Sequence, residues 1–122
     1  MSPERAALDR ALARKGEIII VRRYTSTLVT WFDVECRAFV RGYTPQELIG
    51  GISQTDSLVT ISPTEIFATQ WPGGQSPGSS VDPRIPRKND RVIIQGRVRN
   101  IESVGPFFVA SELVRIEMRV IG

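Results

Sequence analysis

The 122 residues, 41% apolar and 24% charged, are the length and mixture of one globular domain, spanning 1–122, with no room for a second. Cys36 is the only cysteine and histidine is absent, which excludes an internal disulfide, a Cys/His zinc site and Ser/His or Cys/His nucleophilic pairs within one chain. No enzyme activity, metal or cofactor is therefore expected. Sixteen Lys and Arg against thirteen Asp and Glu leave a net charge of +3, and the strong preference for arginine suits planar, bidentate contacts at interfaces. The longest apolar run, Ile18 to Val21, is far short of a bilayer span, and the first sixteen residues lack the order of a secretory signal, so no membrane association or export is expected.

Ser2-Pro3 predicts a helix over residues 3–15, with a hydroxyl N-cap and proline at the first helical position. Leu8, Ala11 and Leu12 form its thin apolar stripe, Arg10, Arg14 and Lys15 complement the dipole, and Gly16 is expected as a left-handed C-cap. The stripe implies packing on a neighbour, either its own sheet or another subunit. Glu17 to Tyr24 is dense in β-branched residues and reads as the first strand. Trp31 to Arg41 alternates, placing Phe32, Val34, Cys36, Ala38 and Val40 on one side and Asp33, Glu35, Arg37 and Arg41 on the other. In that row Cys36 is a buried, inert thiol.

Thr44-Pro45-Gln46-Glu47 has the capping-box pattern of a single helical turn ending at Gly50-Gly51. A glycine-rich loop, Gly50 to Ser57, leads into a strand over 57–61, and Ser62-Pro63-Thr64-Glu65 repeats the capping pattern before a second short helix to about Gln70. Trp71 to Asp90 is rich in proline, glycine and serine; connections of this length without structure are uncommon unless functional or disordered. It reads as an extended arm for a partner, with Trp71, Pro72 and Ile85 as apolar anchors and Arg84, Arg87 and Lys88 as polar ones. Arg91 to Ile94 and Arg97 to Val104 form a hairpin through Gln95-Gly96. Gly105-Pro106 is expected to turn the chain before Phe107 to Ala110 and Leu113 to Ile121.

These elements define a mainly β domain: a small barrel or sandwich of about six strands with a short N-terminal helix and one or two single-turn helices. Arg84, Arg87, Lys88, Arg91, Arg97 and Arg99 form a basic window that could meet phosphates, but it lacks interleaved aromatic residues. A solvated face or a protein interface fits it better than nucleic-acid recognition.

The order of features resembles the head-tail joining proteins of tailed bacteriophages, specifically the small β-barrel head-closure or stopper connectors. The resemblance rests on the helix running into Gly16-Glu17 and Val21-Arg22-Arg23, and on Trp31-Phe32-Asp33-Val34 leading to Ala38-Phe39-Val40. It continues through the glycine loop with Gln54-Thr55-Asp56, the segment Pro86-Arg87-Lys88-Asn89-Asp90-Arg91-Val92, and the closing strand. It implies a virion protein, assembled in the bacterial cytoplasm, that forms a ring of identical subunits. Twelve is the expected number, with six as the alternative. The ring would join portal or adaptor to the tail terminator or tail tube, with double-stranded DNA passing non-specifically through its channel. On this basis Gly50, Gly51, Ser53, Gln54, Thr55 and Asp56 are expected to face the channel, and the 71–90 arm to reach an adjacent subunit or ring. A tail terminator or other tail-tube ring protein, or an oligonucleotide-binding barrel, are the alternatives.

Overall fold

A computed structural model describes residues 2–25, 30–42, 56–73 and 82–121. The order is α1 (Pro3–Lys15), β1 (Glu17–Tyr24), β2 (Trp31–Gly42), β3 (Ser57–Ile61), α2 (Thr64–Thr69), β4 (Arg91–Ile94), β5 (Arg97–Val109) and β6 (Glu112–Ile121). The strands form a closed antiparallel barrel in the order β1-β2-β3-β6-β5-β4, so of barrel and sandwich the chain adopts the barrel. β4 closes it against β1, with Ile19 opposite Ile94 and Arg22 opposite Arg91.

Period-two alternation fills the interior. Val21, Ala38, Val59, Ile61, Val92, Ile116, Met118 and Val120 have no exposed surface, and Cys36 lies among them at 1%. Each such side chain contributes about 1.5–3 kcal/mol relative to an exposed position. In β2 the pattern fails at its start: Phe32 remains 40% exposed because it precedes the part of the strand that the barrel encloses.

α1 begins as its sequence predicts, with Ser2 Oγ accepting from the Arg5 N–H at 3.2 Å. Its neighbour is its own barrel, through β2 and β6. Leu12 is buried there, Arg37 Nη1 donates to the Gly16 carbonyl at 2.8 Å, and Arg5 Nε donates to Thr64 Oγ1, whose hydroxyl donates to Asp9 Oδ2. Gly16 corrects the expectation of a left-handed cap, since its φ of −76° and ψ of 160° are extended. Glycine is required for space instead: an added Cβ would lie 2.6 Å from the Leu12 carbonyl oxygen.

Two further expectations change. At α2, Ser62 Oγ accepts from the Thr64 N–H at 3.3 Å, but Glu65 does not complete a capping box and instead accepts from the Arg37 N–H at 2.9 Å, joining α2 to β2. Gly105-Pro106 is not a turn. β5 runs through it, with Gly105 opposite Glu117 and Pro106 opposite Ile116, and the chain reverses at Ala110-Ser111, both at positive φ. Proline is tolerated because β4 pairs only with Arg97 to Asn100, so among the described residues this part of β5 has no second partner strand and needs no second set of ladder bonds. The capped turn predicted at 44–47 lies outside the described residues.

Candidate interaction surfaces

The segment expected to reach a partner is instead anchored, over its described residues, on its own barrel. Trp71 is 2% exposed, sits in the core cluster and donates its indole N–H to the Phe32 carbonyl at 2.9 Å. Pro72 is buried beside it, and Ile85 packs against the core. These residues therefore do not stand out as apolar anchors for another molecule; the apolar area they carry is spent on closing the barrel.

The fastening is a buried ion pair. Arg23 projects from β1, with its Nη2 2.8 Å from Asp90 Oδ2 and its Nε 3.1 Å from both carboxylate oxygens. Its remaining donors meet the Pro83 and Ile85 carbonyls at 2.6 and 3.1 Å, and its guanidinium lies over the Trp71 ring. Asp90 Oδ2 also accepts from the Arg87 N–H. One cation thus holds both ends of the described connection, Trp71 and residues 83–90, against β1.

Much of the basic window is also engaged internally. Arg84 pairs with Asp82 and stacks over Phe67, and its side-chain hydrogen bonds, with its backbone N–H and positive charge adding to them, hold the Asp82 carboxyl below the usual carboxylate range. Lys88 pairs with Glu102 at 3.6 Å, while Arg99 donates to Ser57 Oγ and has its pKa lowered by burial and by neighbouring Arg97. Arg87 keeps an exposed side chain. Of the channel-loop residues, Gly50, Gly51, Ser53, Gln54 and Thr55 lie outside the described residues. Asp56 is 4% exposed and paired with Arg119 of β6 at 3.3 Å.

The solvent-facing apolar side chains lie elsewhere. Beyond Ile116, β6 has left its pairing with β3, and beyond Asn100, β5 has left β4, so Phe107 to Arg115 form a two-stranded ribbon that continues from the barrel, with Leu113 and Val114 buried and Glu112 paired with Arg5 of α1. Phe107, Phe108 and Val109 are 41%, 55% and 39% exposed. Together with Leu8 and Glu4 of α1 and Val114 and Arg115 of β6 they line an open groove of about 300 Å³. Arg115 stacks on the Phe107 ring at 4.4 Å.

A second apolar surface lies on the outside of β1, β4 and β5. Ile20 stands opposite Ile93, and Ile93 opposite Val98, in one cross-strand row, with Ile18 two positions along β1. Ile18 and Val98 are 59% and 49% exposed. The signal for this surface was present in the unbroken Ile18-Ile19-Ile20-Val21 run, since a strand with one solvated face normally alternates. A third cluster occupies the start of β2, where exposed Trp31 is covered on one face by Arg22 at 4.4 Å and touched edgewise by Tyr24.

Burial raises the Cys36 thiol pKa well above its ordinary value, with the Glu65 carboxylate adding to the effect. Among the described residues no group of three His, Cys, Asp or Glu could hold a metal, and no helix is long and apolar enough to cross a membrane. The chain is thus a closed six-stranded antiparallel barrel with apolar side chains open to solvent on its outside. No protein-family model matches its sequence, and neither does any curated protein.

Proposed function

We propose that this chain is a structural virion protein that forms a ring at the head-tail interface of a tailed bacteriophage, joining portal or adaptor to tail and helping to retain the packaged DNA. The observation that carries the reading is apolar surface exposed in several separate places, on a barrel whose core is already filled by its own residues. Apolar patches that the fold itself does not need are the mark of a subunit completed by neighbours. The resemblance in the order of elements supplies the kind of assembly. Light scattering and negative-stain microscopy of the purified chain, alone and with its portal, test the proposal. Rings that bind the portal are expected, whereas a species that stays monomeric and never joins a portal overturns it. A six-fold ring bound to tail tube alone would favour the tail-terminator role.

A second reading, an oligonucleotide-binding barrel, draws on the Trp31 cluster, where an exposed indole stands beside Tyr24, Arg22 and Arg91, whose guanidinium lies 5.7 Å from the Tyr24 ring. Bases stack on such rings and phosphates meet such cations. Binding to a single strand that falls steeply with salt and is lost in Trp31→Ala would favour it.

A further inference from the structure

We infer that the outer face of β1, β4 and β5 is a self-association surface, on which a second copy of this chain lays the same face, related by a two-fold axis. A two-fold contact uses one patch on both copies and cannot by itself propagate a ring. The inference therefore goes beyond the ring reading and does not rest on it.

Apolar side chains stand on both sides of β1. Ile18 and Ile20 point outward between the buried Ile19 and Val21, a pattern that belongs to strands covered on both faces. Closure of the barrel sets Ile93 beside Ile20 and Val98 beside Ile93. None of these outward side chains takes part in the core cluster, and Ile18 and Val98 keep 59% and 49% of their surface in solvent.

The charges at the β2 margin of this face favour a second copy over a partner of another kind. Glu35 stands opposite Ile20 and Arg37 opposite Ile18, so an acid and a base flank neighbouring rows. α1 runs out beside them, with Arg14 and Lys15 in its last turn and the Gly16 carbonyl bonded to Arg37. The other acid at this margin, Glu65, accepts the Arg37 N–H. Glu35, Arg14 and Lys15 are exposed and form no ion pair among the described residues. A two-fold axis parallel to the rows, between that of Ile20 and that of Ile18, lays each row on the other row of the second copy. Ile20 then meets Ile18, and Glu35 meets the side carrying Arg37, Lys15 and Arg14, once in each direction. A free acid and free bases at one margin thus complement themselves, whereas a partner of single sign would satisfy one set and repel the other. The patch falls well short of the ~800 Å² per partner of a standard interface, so the contact expected is a reversible dimer.

Sedimentation and light scattering of the full chain across concentration read the mass, and circular dichroism verifies folding. The unaltered chain is expected to pass from monomer to dimer as its concentration rises, and Val98→Asp to stay monomeric. Two charge variants, Glu35→Lys and the pair Arg14→Glu with Lys15→Glu, change only exposed side chains. Each makes both charged contacts repulsive and should weaken the dimer about ten-fold at low salt. An equimolar mixture of the two variants should regain most of the dimer, because one contact then joins reversed charges and the other unaltered ones. A chain that stays monomeric at millimolar concentration overturns the inference, as does a dimer that Val98→Asp leaves intact or a mixture that dimerises no better than its parts. If Val98→Asp leaves the mass unchanged and abolishes portal binding, the face belongs to the portal and the two-fold contact falls.

Discussion

Arg23 and Asp90 show how much one side chain can organise. Their side chains are 8% and 6% exposed, so the pair is almost wholly removed from water. Burying an ion pair confers little net stability, but removing one partner leaves a desolvated charge. Asp90→Ala should therefore lower the unfolding free energy by about 3–5 kcal/mol, read from the urea midpoint. Cys36 gives a pH signature with a definite sign. The unfolded chain releases the thiol proton near pH ~8.5, whereas the folded chain keeps it because burial raises the pKa. The folded state thus binds more protons at alkaline pH, and stability should be unaffected by Cys36 below about pH 8.5 and fall above it. In Cys36→Ala that component of the alkaline loss should vanish from the stability profile, and in the unaltered chain the thiol should react with alkylating agents only on unfolding. That Cys36 faces inward was legible from its place in an alternating row. The reason for Gly16 was not, because a close approach to the Leu12 carbonyl depends on how α1 meets β1. Gly16→Ala is expected to cost about 1–3 kcal/mol in thermal or urea unfolding.

At the scale of elements, the strands marked by β-branched density, as β1 is, or by alternation, as β3 is, are those whose limits were legible. β1 spans Glu17–Tyr24 and β3 spans Ser57–Ile61, as their side-chain patterns imply. β5 misleads because Gly-Pro is a turn signal wherever both edges of a strand need partners, and one-sided pairing removes that need. The true reversal uses Ala110 and Ser111 at φ of 49° and 65°, where neither residue is favoured. Replacing them by Asn-Gly should raise stability by about 1 kcal/mol, measured by thermal unfolding, without changing the ribbon's register. Trp71 was hidden for a different reason. A lone aromatic residue amid proline, glycine and serine carries no periodicity, and only the tertiary fold shows that it fills the space beside α2 and Phe32. Trp71→Ala should cost about 3–5 kcal/mol, while Trp71→Phe, which keeps most of the volume and loses the bond to the Phe32 carbonyl, should cost about 1 kcal/mol.

For the whole molecule, composition and alternation were enough for a small β domain with helical punctuation, and the structure resolves the choice in favour of the barrel. The surfaces were less legible. A row such as Ile20, Ile93 and Val98 is assembled from three strands, two of them far apart in the chain, and no local window contains it. The same fact places the surface in time. β1 cannot meet β4 until the chain has been made and folded through residue 94, and the Arg23–Asp90 contact spans 67 positions. Contacts this distant pay their loop-closure entropy late in folding. Pulse-labelled hydrogen exchange during refolding should find the amides joining Ile19–Arg22 to Arg91–Ile94 among the last to gain protection. The outer row of Ile20, Ile93 and Val98 therefore exists only on the finished barrel, and a nascent or misfolded chain does not carry it.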